Sequence, residues 1–276
     1  MSPARPPEGA QLPLGGAARN AKGAAAGRLI LMPNTLDFGV DDTLDLREVL
    51  PQRVIEQAAR LTHWAAENAK TTRSLLKRVG AVVPLAQPLQ ALQIVELPRA
   101  AKGRAAGDDS AAWQALLAPA LAGHDVGLIS EAGLPAVADP GARLVALAHE
   151  AGIEVLPLSG PSSLLLALAA SGLNGQSFAF VGYLPVEAGA RAARIRELES
   201  LSAKAQQTQL LIETPYRNEA LRQALLATLK PGTRLSISVG LTLPGGWTRT
   251  ATVADWKRGS TAALPDRIPA VFALLA

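Results

Sequence analysis

The stretch Asp125 to Gly141, DVGLISEAGLPAVADPG, constrains the fold more than any other part of the chain. Val126 to Ile129 is a short apolar run with a β-branched residue at each end, the pattern of a strand buried on both faces of a parallel sheet. It runs into a loop holding Gly133, Pro135, Asp139, Pro140 and Gly141, residues that fix unusual backbone angles or cap helices. Asp139 followed by Pro140 is a helix start signal, a carboxylate for the free amides and a proline for the first turn. A helix is therefore expected over Gly141 to Ala151, with Leu144, Leu147 and Ala148 on one face. Strand, glycine-proline loop and helix in that order place the loop at the carboxyl end of a parallel sheet, where open α/β sheets bind their ligands. Spacing alone is equally compatible with a connection that only turns the chain.

The same alternation is repeated on both sides. Strands are expected at Arg28 to Pro33, Leu61 to Ala66, Leu92 to Leu97 and Ile153 to Leu158. Between them come helices over Leu50 to Ala59 and from Asp109 or Ser110 to Leu121, the latter burying Trp113, Leu116 and Leu117. With Val126 to Ile129 these strands make a doubly wound layer. Gly160-Pro161-Ser162-Ser163 then opens a helix whose first-turn amides can hold a carboxylate or a ribose hydroxyl without a basic residue. Beyond it the pattern changes. FAFVGYLP, Gln209 to Thr214, Leu235 to Leu241, Thr248 to Val253 and Pro269 to Leu275 read as strands. Helices are expected over Ala190 to Ala205, bearing Arg191, Arg194 and Arg196, and over Arg217 to Leu229. The last region is rich in β-branched residues and poor in helix, which predicts a mixed sheet with antiparallel edges. The expected fold class is α/β: two α/β domains, residues 28–160 and 161–276, with a cofactor cleft between them. Residues 1–27, rich in Ala, Gly and Pro and without hydrophobic periodicity, read as a disordered tail.

A chain of 276 residues, 49% of them hydrophobic, can bury a sizeable core. It has no cysteine, which excludes disulfides and thiolate chemistry. His63, His124 and His149 are scattered without ligand spacing, so no metal is expected. The longest apolar run, Leu164 to Ala170, is far below the roughly 20 residues of a membrane span. The tail lacks the apolar core of a signal peptide, and a cytoplasmic location is expected. The 27 Lys and Arg exceed the 23 Asp and Glu by only four, a surplus that permits a polyanionic partner without demanding one. Arg99 to Asp109, with three basic residues, is a polar loop able to steer an anion. Aromatic residues are 4% of the chain and are not interleaved with arginines, so no stacking platform for single-stranded RNA is visible.

SEAGLPAVADPG resembles the S-D-A-G-T-P-x-I-S-D-P-G signature of the ribosomal small-subunit RNA (cytidine) ribose 2′-O-methyltransferases, members of the tetrapyrrole-methylase superfamily. The likeness continues through EAGIEVLPLSGPSSLLLALAASGL and FAFVGYLP, and resumes at LLIETPYRNEALRQALLATL, where the family has Y-E-S-P-H-R. ENAKTTRSLLKRVG resembles the family's E-D-T-R-x-S-R-K-L-L, keeping Glu67 and Arg73 but carrying Asn68 and Lys70 instead of Asp and Arg. The family's first loop, P-T-P-I-G-N, survives only in Pro33 and Thr35. Its glycine arrives at Gly39, and Asp37, Asp41 and Asp42 make it acidic. Ser159 replaces a proline of the family's P-G-P.

The resemblance implies S-adenosylmethionine as cofactor and a homodimer, with the chain a divergent paralogue. It implies cofactor contact by Pro33, by Ser130, Glu131, Ala132, Gly133 and Pro135, by Ser162 and Ser163, by Thr214, and by Pro269 and Ala270. Methyl transfer from a sulfonium needs no metal, only an acceptor held in line in a dry cleft. Glu67, at a strand end facing the same crevice, either accepts a proton from a hydroxyl or caps the following helix. Three readings stay open: a ribose 2′-O-methyltransferase acting on ribosomal RNA, a small-molecule methylase of tetrapyrrole-like acceptors, and a cofactor-binding paralogue without transferase activity. The rewritten first loop, Asn68 and Lys70 favour the second, and the absence beyond IPAVFALLA of the small extension that the RNA enzymes carry counts against the first.

Overall fold

In the computed structural model, residues 26–37, 45–98, 110–259 and 262–276 are described. The first half builds five short strands: β1 (Leu29–Met32), β2 (His63–Ala66), β3 (Gln93–Glu96), β4 (Val126–Ile129) and β5 (Val155–Pro157). All pair in parallel, in the order β3-β2-β4-β1-β5. Every residue of β4 is buried, as its unbroken apolar run requires. Gly127 is needed there, because a Cβ would stand 2.7 Å from the Trp64 ring.

Strand periodicity sends alternate side chains to opposite faces. Ile30, Met32 and Trp64 pack against Ile55 of α1 (Gln52–Arg60) and Leu75, Leu76 and Val79 of α2 (Ala69–Val82). Leu29, Ala65 and Leu128 pack on the other side against Trp113 of α3 (Ser110–Ala115), Ala120 of α4 (Ala118–Leu121) and Leu144 and Ala148 of α5 (Ala142–Glu150). Two starts differ from expectation. Asn68, not Glu67, caps α2, its side chain accepting from the amides of Lys70 and Thr71. Helix α5 begins one residue later than expected and has no side-chain cap, because Asp139 accepts from the amides of Ala136 and Gly141 and braces the loop instead.

The second half holds α6 (Ser163–Ser171), β6 (Phe178–Phe180), α7 (Ala188–Ala205), β7 (Thr208–Ile212), α8 (Asn218–Thr228), β8 (Arg234–Val239), β9 (Trp247–Thr252), α9 (Val253–Arg258) and β10 (Ala270–Leu275). Its strands form a second, mixed sheet in the order β6-β7-β10-β8-β9, parallel only between β6 and β7. Leu164, Ala167 and Leu168 of α6 cover one face of this sheet with Leu210, Val271 and Ala273. Helices α7, α8 and α9 cover the other through Leu198, Leu225 and Trp256. The expected two α/β layers are therefore present. Helix α9 was not expected: Thr252 ends β9 and its hydroxyl accepts from the Asp255 amide, so Val253 belongs to a helix rather than to the strand. Gly39, Asp41, Asp42, the Arg99 to Asp109 loop and all but the end of the 1–27 tail lie outside the described residues.

Two histidines distant in sequence meet. The rings of His63 and His124 stack with centroids 5.0 Å apart. Burial, then the neighbouring His124, pushes the His63 pKa below 6.5. The unfolded chain takes up this proton more readily, so the contribution is present above pH 6.5 and is lost as pH falls toward the lowered value. His63→Asn is expected to lessen the drop in urea-unfolding stability across that window. An undiminished drop would locate the acid sensitivity elsewhere.

Candidate active site

The loops that follow β2, β4, β7, β8 and the start of β10 surround a cleft of about 370 Å³. From the first half its wall takes Leu36, Glu67, Ser130 to Ala132 and Val137 to Asp139. From the second it takes Ser163, Tyr183, Ile212 to Pro215, Ser238, Gly240 to Leu241 and Pro269 to Val271. A concavity of similar size between α8 and α9, lined by Arg222, Trp256 and Lys257, shares no residue with it. The first cleft alone lies at the carboxyl ends of the parallel strands, the position at which open sheets bind ligands.

Its loops are tied to one another by side chains from distant segments. Asn34 Nδ2 donates to the carbonyls of Ser130 and Glu131, each at 3.0 Å, while the Asn34 amide donates to Gly133 O. Gly133 has φ +70°, a conformation that glycine adopts freely, and this turns the loop back onto the first one. In the described part of the first loop the charge of Asp37 is compensated. Asp37 is buried, accepts from the Thr35 hydroxyl at 2.7 Å and pairs with Arg78 at 2.8 Å. Glu67 Oε2 accepts from the Glu131 amide at 2.9 Å, which fixes its carboxylate against the β4 loop and in the cleft wall.

Three further acidic or phenolic groups complete the wall. Asp139 uses Oδ1 for the loop amides, leaving Oδ2 buried without a partner. Burial pushes its carboxyl above the ordinary carboxylate value, and the amides of Gly141, Ala136 and Val137 only partly oppose the shift. Glu213 is buried, accepts from the Thr214 amide at 2.8 Å and pairs with Arg217 at 2.9 Å. The Tyr183 phenol is raised by burial, and next by the nearby charges of Glu213 and Glu67, so its hydroxyl stays protonated and able to donate.

Of the residues named from sequence, Glu67, Ser130, Glu131, Ala132, Ser163, Thr214, Pro269 and Ala270 line the cleft together. Four do not. Pro33 is buried behind the wall, so close to Gly160 that a Cβ there would come within 2.2 Å of the Pro33 Cβ. Gly133 and Pro135 are buried in the β4 loop and shape it. Ser162 caps α6, its hydroxyl accepting from Leu165 N at 3.5 Å, so not every amide of that first turn is free. Sequence reading missed Asp139 as a wall residue, having assigned it to a helix cap, and also Tyr183, Glu213 and Ser238. Glu213 and Tyr183 stand inside IETPYRN and FAFVGYLP, but nothing local shows that two strands of another layer aim them at the β4 loop.

The wall carries the carboxylates of Glu67, Glu131, Asp139 and Glu213, and no lysine or arginine among the described residues. Such a wall favours a cation and disfavours an anion. S-adenosylmethionine carries a sulfonium and an ammonium against one carboxylate, a net positive charge, with ribose hydroxyls suited to acceptors, and Asp139 Oδ2 is a buried acceptor lacking a donor. The residues present fit it. Among the described residues no group of three His, Asp or Glu is placed to hold a metal ion, and no helix is long and apolar enough to cross a membrane.

Residues 52–255 match the family of tetrapyrrole (corrin/porphyrin) methylases. The ribosomal RNA small subunit methyltransferase I of Mesorhizobium japonicum is 34% identical over 218 residues, covering 79% of this chain and 65% of the relative. The protein of the same name from Vibrio cholerae is 40% identical over 104 residues, 38% of this chain and 35% of that one. The chain thus spans less than two thirds of the length of these relatives. A solved structure of a conserved hypothetical protein from Aeropyrum pernix K1 superposes with a TM-score of 0.56 at 17% identity, covering 91% of this chain and 85% of that one, and shows the same fold. From the match over residues 52–255, the chain belongs to the tetrapyrrole methylase family.

Proposed function

We propose that the protein transfers a methyl group from S-adenosylmethionine to a ribose 2′-hydroxyl of small-subunit ribosomal RNA. The observation that carries this reading is the charge of the cleft. A polycarboxylate corrin or porphyrin precursor would meet the four wall carboxylates, of which Glu213 is paired with Arg217, and no lysine or arginine lines the cleft among the described residues. A nucleoside is uncharged at its base and ribose and can enter while its phosphates stay in solvent. The names of the relatives support the same acceptor, and the reading places the enzyme with its ribosomal substrate in the cytoplasm.

In this reading the domains 28–160 and 161–276 enclose the reactants. The backbone of Ser130 to Ala132, the Asp139 carboxylate, Ser163, Thr214 and the Pro269-Ala270 backbone hold the cofactor, while Pro33, Gly133, Pro135 and Ser162 position those groups. The bound sulfonium supplies a methyl group already activated for displacement. Glu67 receives the proton that the 2′-hydroxyl gives up, and its bond from the Glu131 amide keeps the carboxylate facing the acceptor.

The test is incubation with methyl-labelled S-adenosylmethionine and small ribosomal subunits from a strain lacking the protein. Label in a ribose-methylated nucleoside of the digested RNA is expected. Label in a tetrapyrrole pool, with none in RNA, would replace this reading by the small-molecule one.

A further inference from the structure

The chain has only two tyrosines: Tyr183 lines the cleft, and Tyr216 directly follows the cleft-lining Pro215. Strands β6 and β7 run parallel with Phe178 opposite Thr208 and Phe180 opposite Leu210. The pairing continues past the strands, since Val181 N donates to Leu210 O and Ile212 N to Gly182 O. Carried on, this register sets Tyr183 beside Glu213. Tyr183 lines the cleft and is 58% exposed. Tyr216 sits in the 3₁₀ turn Pro215–Arg217, next to cleft-lining Thr214 and Pro215, and is 72% exposed. Val186, also 72% exposed, follows Tyr183 on the same loop. Arg191 of α7 reaches back to that loop and donates Nη1 to Val186 O at 3.2 Å, which holds a guanidinium beside it.

Exposed aromatic rings at a cleft that repels phosphate, with a cation outside it, make a site of definite chemistry. Base faces stack on aromatic side chains whatever their sequence, and the negative backbone must be met by positive charge beyond the cleft. Single-stranded RNA has both features. A duplex offers no free base face, and a flat polycarboxylate would carry its charge into the acidic wall.

We propose that Tyr183 and Tyr216 form a stacking lip that takes an unstacked base of single-stranded RNA as its ribose enters the cleft, with Arg191 meeting an adjoining phosphate. This rests on the RNA reading above and adds how the acceptor strand is selected. The sequence hides the lip because its members come from two strand ends 33 positions apart.

The experiment measures binding of a short fluorescein-labelled single-stranded RNA, and of the same sequence as a duplex, by anisotropy. The parent is expected to prefer the single strand. Tyr183→Ala and Tyr216→Ala should each weaken that binding about tenfold, while the corresponding phenylalanine substitutions keep it. Tyr216→Ala should leave S-adenosylmethionine affinity in calorimetry unchanged. Full single-strand affinity in the double alanine variant overturns the lip, and so does a loss that tracks a change in oligomeric state, which would make these rings a protein contact. The methylation assay separates the two levels. If the parent methylates small-subunit RNA and the double variant does so with unchanged KM, the lip is wrong and the RNA reading stands. If the parent methylates no RNA, the reading fails and the lip with it.

Discussion

Glu67→Gln is expected to slow methyl transfer by roughly 10²- to 10⁴-fold, the usual worth of a positioned proton acceptor, with little change in cofactor affinity. The amide keeps the volume of the carboxylate, and its oxygen can still accept from the Glu131 amide as Glu67 Oε2 does. What it loses is the capacity to take a proton. Glu67→Ala should go further, because the Glu131 amide then loses its partner at a cost of about 1–3 kcal/mol and the β4 loop loosens around the cofactor. Single-turnover rates with excess enzyme, beside calorimetric titration of S-adenosylmethionine, separate the two effects. A parental rate in Glu67→Gln would mean that the hydroxyl proton leaves to solvent or to another wall carboxylate.

The second large effect is expected behind the cleft. In Gly160→Ala the added methyl would fall 2.2 Å from Pro33 Cβ and 2.5 Å from Pro33 Cγ. Neither atom is the free end of a flexible side chain. The pyrrolidine ring is locked to its backbone, and Pro33 is buried at the end of β1. Overpacking of this kind costs about 1–3 kcal/mol. The displacement is also passed on, since Asn34, the next residue, holds Ser130, Glu131 and Gly133 in place. Lower urea-unfolding stability and weaker cofactor binding should therefore appear together. Gly175→Ala is the control, because a Cβ there meets nothing within 4 Å. Equal behaviour of the two variants would show that Pro33 and Gly160 can part without disturbing the site.

What could be read in the sequence follows from the range of each interaction. Strand β4 and its loop were legible because an unbroken apolar run between turn residues needs no partner to declare itself. The alternation around it gave the five-stranded layer for the same reason. Glu67 was ambiguous because helix cap and cleft wall differ only in which amide it accepts from, and that amide lies 64 positions away. Asp139-Pro140 looked like a helix start, but the loop's own amides were nearer to the carboxylate. Asp37 read only as one of the residues that make the first loop acidic, because Arg78, which pairs with it, is 41 positions distant. For Glu67 and Asp37 a long-range pairing outweighed a plausible local one, whereas Asp139 was claimed by amides only two and three positions away. The missing cation in the cleft wall was hidden too, since it is a property of several segments together.

The position of β10 bears on how the molecule is made. This strand is the last of its sheet in sequence yet lies in the middle, with β7 on one side and β8 on the other. Until residues 270–275 leave the ribosome, the strands on either side form two unjoined ribbons, each with an edge still seeking a partner. The parallel layer built by β1 to β5 has no such dependence and can close while the rest of the chain is still being synthesised. Because Pro269 to Val271 also belong to the cleft wall, a nascent chain halted before them would hold a finished first layer, an open second one and an incomplete cleft.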